Sequence, residues 1–235
     1  MKLNLKQDRR VVVELDGDVT IEGYDGDEIV VRGDGYSPPP KRAEGLRAVY
    51  NPAIDNTKLG VAIERDPGSS TIRIVKASRR DASYVVRLPR QINVLYTQPT
   101  WSGGGKLIIR GISGSVEATT KTSDIELKDL TGTLAVSSTS GSLSAVLPGT
   151  TAAIAVSLTS GDLDLTLPAT TKATLKLRSI SGEIYTDFDL TLPKNPKGER
   201  LNHVGGQTVE GNLGGGGAIY MLNTISGDIF LRKAR

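Results

Sequence analysis

Cysteine is absent from the 235-residue sequence, which excludes a disulfide framework and thiolate metal sites. The chain has one histidine, His203, so clusters of histidines that bind catalytic metals are excluded as well. Aromatic residues make up 4% of the chain, and aliphatic side chains must therefore fill its core. No apolar run approaches the roughly 20 residues that span a bilayer, and residues 1–10 lack the apolar centre of a signal peptide.

An excess of charge of one sign is also missing. The 29 basic and 26 acidic residues are interspersed and give a net charge of +3. The basic clusters are short, at residues 41–42, 79–80 and 232–233. This pattern is typical of a solvated surface, and it predicts that nucleic acid is not a partner.

Turn and strand residues are abundant. The chain has 27 glycines and 11 prolines, together with many Thr, Ser, Val, Ile and Leu residues. Segments that begin nine residues apart, "GSVEA", "SDIEL", "GTLAV" and "GSLSA", each place apolar residues at alternate positions. This period of two indicates strands with one buried face, so the sequence predicts an all-β fold.

Two series of apolar residues keep the same register along the chain. Both advance in steps of 18, 20 and 21 residues: Val116, Leu134, Ile154 and Leu175 in one, and Ile125, Leu143, Leu163 and Ile184 in the other. Matched steps predict a single-stranded parallel β-solenoid, or β-helix, with coils of about 18–21 residues. An antiparallel meander is the alternative.

The repeat pattern also predicts the organisation of the chain. We expect one solenoid domain over residues 1–235, with less regular coils or a cap at 1–110 and regular coils at 111–192. Residues 193–217 have the composition of a loop insertion, and 218–235 would form the closing coil. In that coil we expect Ile219, Met221, Ile229 and Leu231 to point inward.

The stretch "LTSGDLDLTLP" at residues 158–168 places Asp162 and Asp164 behind a glycine. Because Leu163 and Leu165 alternate with them, both carboxylates should project from the outer face. A cation ladder needs the same ligand on stacked coils, but serines replace the acids one coil earlier. The sequence therefore predicts a structural corner here, and it predicts no metal site and no cofactor.

Catalytic machinery is not recognisable. His203 lies in the predicted loop insertion, and no nucleophile pattern accompanies it. The glycine-rich segment "GGQTVEGNLGGGG" lacks the Gly-Lys-Ser/Thr end of a phosphate-binding loop. We therefore predict that the chain is not an enzyme and has no catalytic residues, with a carbohydrate-active enzyme as the weakest alternative.

Aromatic residues near the middle of the chain suggest a contact surface. Trp101 lies in "TQPTWSGGG", a loop sequence that could display the indole, and Tyr96 is close by in the sequence. A hydrophobic capping contact is the alternative to a sugar platform. The predicted ligand-contact surface comprises Trp101, Tyr96, Asp162 and Asp164, and its partner would be a surface glycan or a protein.

Several stretches together resemble a known family. They are "VELDGDVTIEGYDGDEIVV", "YVVRLPRQINVLYT", "GGKLIIRGISGSVEATTKTSDIELKDLTGTLAVSSTSGSLSA" and "AIYMLNTISGDIFLRK". Their order resembles the bacterial putative-adhesin family of unknown function, whose members look like β-solenoids and are often exported or membrane-attached. The resemblance implies a binding scaffold with no catalytic residue to carry over. A self-assembling structural solenoid is the alternative function.

The resemblance also bears on location. Strand pattern begins almost at Met1. If an export signal once preceded this residue and was removed, we expect the chain to be periplasmic, surface-associated or secreted.

Overall fold

The computed structural model describes residues 2–4, 9–46, 53–66, 68–80, 82–101, 104–149, 152–190 and 207–235. Within them the regular structure is β-strand, apart from a 3₁₀ turn at Lys41–Ala43. The strands are β1 (Lys2–Asn4), β2 (Arg10–Glu14), β3 (Val19–Tyr24), β4 (Glu28–Asp34), β5 (Val61–Asp66), β6 (Thr71–Lys76), β7 (Ser83–Pro89), β8 (Asn93–Thr97), β9 (Lys106–Arg110), β10 (Val116–Thr120), β11 (Asp124–Lys128), β12 (Leu134–Ser140), β13 (Leu143–Val146), β14 (Ile154–Ser160), β15 (Leu163–Leu167), β16 (Ala173–Ser181), β17 (Ile184–Thr186), β18 (Gln207–Leu213), β19 (Ala218–Ser226) and β20 (Ile229–Lys233).

The strands form two sheets. The front sheet has the order β1-β4-β7-β3-β9-β11-β13-β15-β20-β17, and the back sheet has the order β5-β6-β2-β8-β10-β12-β14-β19-β16-β18. Each coil contributes one strand to each sheet, and the inward side chains of both sheets pack into one hydrophobic cluster, which is mainly aliphatic but includes Tyr84, Tyr96 and Tyr220. The predicted all-β parallel solenoid is confirmed.

The first coil steps follow the predicted register. Val116 pairs with Leu134, which pairs in turn with Ile154 in the back sheet. In the front sheet the same holds for Ile125, Leu143 and Leu163. The pairs are parallel, so the antiparallel alternative is wrong for these coils.

The last coils stack in an order that the spacing does not predict. Ile154 pairs with Tyr220, and Tyr220 pairs on its other side with Leu175. The front sheet repeats this arrangement around Ile229, which lies between Leu163 and Ile184. The final coil, β19–β20, therefore lies between coils β14–β15 and β16–β17 and does not close the stack.

The inward face of β19 also differs from the prediction. Tyr220 and Leu222 are fully buried, whereas the exposed fractions of Ile219 and Met221 are 50% and 40%. The prediction that Ile219 and Met221 point inward is therefore wrong. The predicted inward positions are shifted by one residue, and such a shift places every side chain of a strand on the opposite face. The predictions for Ile229 and Leu231 are confirmed.

The N-terminal end has the same arrangement. Coil β2–β3 lies between coils β6–β7 and β8–β9. Antiparallel strands cover the ends, with β4 on β7, β5 on β6 and β18 on β16. Strand β18 covers residues 207–213, so this part of the predicted loop insertion is a strand. His203, in the same predicted insertion, lies outside the described residues.

Engineered cysteines can test the stacking order, because the natural chain has none. Ala155 and Met221 are exposed register partners on neighbouring strands, about 4.8 Å apart, a spacing that suits a disulfide. We expect the double variant Ala155→Cys/Met221→Cys to oxidise fully, measured by mass spectrometry under denaturing conditions.

The control pair is Ala155→Cys/Lys176→Cys, whose positions are two strands apart, at about 9.6 Å. Stacking in sequence order would make these two residues neighbours. Efficient oxidation of this pair, with none for the first, would contradict the observed order.

Candidate functional site

The corners between back-sheet and front-sheet strands form a ladder of hydrogen bonds along one edge of the solenoid. The Oδ1 atom of Asp124 accepts the backbone N–H of Ser142 at 2.9 Å, and Ser142 Oγ accepts the N–H of Asp162 at 3.2 Å. Asp162 Oδ1 accepts the N–H of Asp228 at 2.9 Å, and Asp228 Oδ1 accepts that of Glu183 at 2.8 Å. Each side chain thus caps a backbone donor of the next coil in space, which is a structural role.

Glycine precedes Asp162 and Asp228 because the coils touch at these corners. Gly161 has φ +128°, and a Cβ atom there would lie 2.4 Å from the carbonyl oxygen of Gly141. Gly227 has φ +146°, and its Cβ would lie 2.1 Å from the carbonyl oxygen of Gly161. The backbone conformation and the close approach both require glycine.

We expect Asp162→Ala to lower the free energy of unfolding by about 0.5–1.5 kcal/mol, because the Asp228 N–H loses its acceptor. Asp162→Asn keeps an oxygen acceptor and should retain most of the stability. Urea unfolding measures both values. A rise in stability on adding Ca²⁺ to the wild type, absent in Asp162→Ala, would contradict the structural role.

Asp164 lies on the outer face of the front sheet, one residue beyond the core position Leu163. Both of its carboxylate oxygens accept from Arg232 Nε, at 3.0 and 2.9 Å. The guanidinium carbon of Arg232 also lies 5.1 Å from the ring centroid of Phe230. Asp164 therefore orients an arginine beside an aromatic ring.

Tyr96 does not belong to a contact surface. Its side chain is fully buried, and its hydroxyl donates to the carbonyl oxygen of Leu15 at 2.8 Å. Burial, with a smaller contribution from Asp16, raises the pKa of this phenol above its ordinary value. The prediction of Tyr96 as a ligand contact is wrong, because the strand alternation of β8 directs it into the core.

Trp101 is displayed from the loop after β8, with 61% of its surface exposed. Gln98 anchors this loop, since its Oε1 accepts the backbone N–H groups of Lys121 and Thr122 at 2.8 and 3.0 Å. The Lys121 ammonium lies 5.8 Å from the centre of the indole. The exposure of the ring favours display over a capping contact.

The predicted contact residues do not come together in one site. Trp101 and Asp162 lie on the same edge of the solenoid, where back-sheet strands lead into front-sheet strands. Three coil steps separate β9 from β15, about 14 Å along the stack. Asp164 lies around the corner on the front face.

An aromatic pair that the sequence did not indicate lies close to Asp164. Tyr185 and Phe230 stack in neighbouring coils, with ring centroids 5.3 Å apart and planes 9° from parallel. Tyr185 is 47% exposed, and its hydroxyl donates to Glu183 Oε2 at 2.7 Å. This hydrogen bond raises the pKa of the Tyr185 phenol, which keeps it neutral well above physiological pH.

Beside the pair runs a groove of about 720 Å³. It is lined by Thr166, Tyr185, Thr186, Asp187, Phe230, Leu231, Arg232, Lys233 and Arg235. A smaller groove of about 370 Å³ shares Phe230 with the first and is also lined by Asp164 and Lys106. The front face therefore offers aromatic rings, carboxylates and cations in two grooves that share Phe230, and we call the larger one the aromatic groove.

Chemical groups for other functions are sparse in the described parts of the chain. Among these residues, no group of three or more His, Cys, Asp or Glu side chains is placed to hold a metal ion. In the same residues, no helix is long and apolar enough to cross a membrane.

The fold defines the class of protein as a two-sheet parallel β-solenoid. A family model described as Toastrack DUF4097 matches residues 105–232, more than half of the chain. The chain belongs to the Toastrack DUF4097 family. No curated protein matches it.

Two solved structures are similar to the chain. A putative cell adhesion protein from Clostridium sporogenes ATCC 15579 has a TM-score of 0.51 and 9% identity, over 100% of this chain and 98% of its own. A putative adhesin from Bacteroides fragilis NCTC 9343 has a TM-score of 0.31 and 10% identity, over 100% of this chain and 95% of its own. The first likeness shows the fold. The family match, together with the fold of the first structure, confirms the resemblance to a β-solenoid family of unknown function that the sequence indicated.

Proposed function

We propose that the chain is a non-enzymatic binding scaffold that acts as an adhesin at an extracytoplasmic surface, as a single solenoid domain over residues 1–235. The observation that carries this proposal is the front face, where a rigid stack of coils displays Tyr185, Phe230 and Arg232 along a continuous groove. Aromatic and arginine side chains are the residues that dominate binding surfaces. The names of the two solved structures also support an adhesive role.

The acids that a hydrolase would need have structural partners here. Asp162 caps the next coil, and Asp164 holds Arg232. Glu183 accepts the hydroxyl of Tyr185 at 2.7 Å. Since a glycosidase places two carboxylates across one scissile bond, these separate pairings support binding without turnover.

A binding screen that also records product release tests this function. We expect labelled protein to bind saturably to members of an array of cell-surface glycans and matrix proteins, with no release of cleaved product. Turnover that disappears in Asp164→Asn or Glu183→Gln would overturn the proposal. The absence of saturable binding to every member would overturn it as well.

Extracytoplasmic location is tested separately. We expect the protein in its native cells to be digested by a protease added to intact cells or to spheroplasts, while a cytoplasmic marker is protected. Protection of both proteins would contradict the proposed location.

Self-assembly into filaments has less support from the structure. The back sheet ends in β5 and β18, which run antiparallel to the coil strands next to them, so a parallel stack does not continue there. The front sheet ends in β1 and β17, which are three residues long, and very short edge strands offer little backbone for further pairing.

A further inference from the structure

We propose that the aromatic groove binds a saccharide that carries a carboxylate group. The inference deepens the proposed function, on which it rests, because it assigns a place and a ligand class to the binding face. It starts from three features of the groove: a stacked pair of rings, an exposed arginine in the lining and a border of small polar groups.

The stacked rings are fixed before any ligand arrives. Phe230 stacks on Tyr185 of the neighbouring coil, and the guanidinium carbon of Arg232 lies 5.1 Å from the centroid of the Phe230 ring. The hydrogen bond to Glu183 and the stack hold the half-exposed ring of Tyr185 in place. A rigid, exposed ring loses little conformational entropy on binding, and its face suits the apolar C–H face of a sugar.

The charges of the groove favour an anion. Its lining includes the basic residues Arg232, Lys233 and Arg235 and one acid, Asp187. Asp164 pairs with Arg232, and Asp189 pairs with the Lys233 ammonium at 3.7 Å, while the carboxylate of Asp187 accepts the backbone N–H of Lys233 at 2.8 Å. Arg235 is exposed and also lines the groove, so it is the basic side chain that we assign to the carboxylate of a stacked sugar.

The polar border favours a sugar over an acidic peptide. Thr166 and Thr186 place hydroxyl groups along the groove, where they can exchange hydrogen bonds with ring hydroxyls. A saccharide presents an apolar face and a rim of hydroxyls on the same rigid ring, and this combination matches the rings and threonines together. An acidic peptide would use the cations and leave the aromatic faces unmatched.

Calorimetric titration with a linear trimer of galacturonate tests the inference on the full chain. We expect saturable binding that weakens as NaCl is raised, because exposed charges are screened by salt. The methyl ester of the same trimer keeps the sugar rings but removes the charge. We expect it to bind about tenfold more weakly.

Variants locate the site. Tyr185→Ala should weaken binding of the trimer about tenfold, and Tyr185→Phe should leave it within about twofold, because the hydroxyl faces Glu183. Thr166→Glu keeps both rings and adds a negative charge in register with Arg232, so it should weaken binding of the acid more than that of the ester. Ile219→Ala, at an exposed apolar side chain of the back sheet outside the groove, is the control and should change nothing.

Equal affinity for the acid and its ester would overturn the inference, and so would unchanged binding in both Tyr185→Ala and Thr166→Glu. Binding of a hexaglutamate peptide with no binding of the trimer would overturn it in favour of a protein partner. If the trimer fails while the array shows saturable binding elsewhere, the inference falls and the proposed function stands. If the trimer does not bind and no member of the array binds saturably, both the inference and the proposed function are overturned.

Discussion

Replacing Gly161 by alanine should lower the free energy of unfolding by about 2–6 kcal/mol. Backbone strain in a region restricted to glycine contributes about 1–3 kcal/mol, since φ is +128°. Overpacking adds a similar amount, because the new Cβ would lie 2.4 Å from the Gly141 carbonyl oxygen, a backbone atom of the adjacent coil. Urea unfolding followed by circular dichroism gives the difference from the wild type.

Two other glycines separate these contributions. Gly35 has φ +78° and open space where the methyl group of an alanine would lie, so Gly35→Ala should report strain without overpacking, about 1–2 kcal/mol. Gly104 has open space and no positive φ, so Gly104→Ala should change stability by less than about 0.5 kcal/mol. A loss in Gly161→Ala no greater than in Gly35→Ala would show that coil contact does not restrict the corner.

Truncating Leu222 to alanine should lower the free energy of unfolding by about 2–5 kcal/mol. Its side chain is fully buried, in register with Val156 on one neighbouring strand and Leu177 on the other. A cavity here would therefore face two coils at once, which limits how far the surroundings can relax. Chemical denaturation monitored on the single tryptophan and by circular dichroism measures the loss.

Met221→Ala is the matched control, on the same strand and the opposite face. Met221 is 40% exposed, and we expect a loss of about 0.5 kcal/mol or less. A larger loss of stability in Met221→Ala than in Leu222→Ala would contradict the observed orientation and support the predicted one, in which Met221 points inward.

The regular coils were predictable because their apolar residues alternate without ambiguity. Leu163 and Leu165 are flanked by polar residues, and the structure buries both. In β19 the run Ile219 to Leu222 is apolar on both faces, so a period of two does not identify the inward one. Contact with Ile154 and Leu175 decides it, by placing Tyr220 between them.

The stacking order was not predictable from spacing. Every coil carries nearly the same pattern of glycine, polar and aliphatic residues, so local sequence does not specify which coil is its neighbour. The aromatic groove depends on that order, because Tyr185 and Phe230 are far apart in sequence and meet only when β20 lies beside β17. For Tyr96 a signal was present, since its alternation with Val94 already placed it inward.

The inserted final coil makes folding of this chain non-vectorial. β16 and β17 find their parallel partners in β19 and β20, which are synthesised after them. At the other end, coil β2–β3 must remain available until β6–β7 and β8–β9 have both been made. Strands β10–β15 can therefore join the stack in chain order, whereas coil β16–β17 joins it by long-range pairing after β19 and β20 have been made, and such pairing is intrinsically slow. β20 follows both of its neighbours, β15 and β17, in the chain, and it joins two coils that would otherwise stay apart.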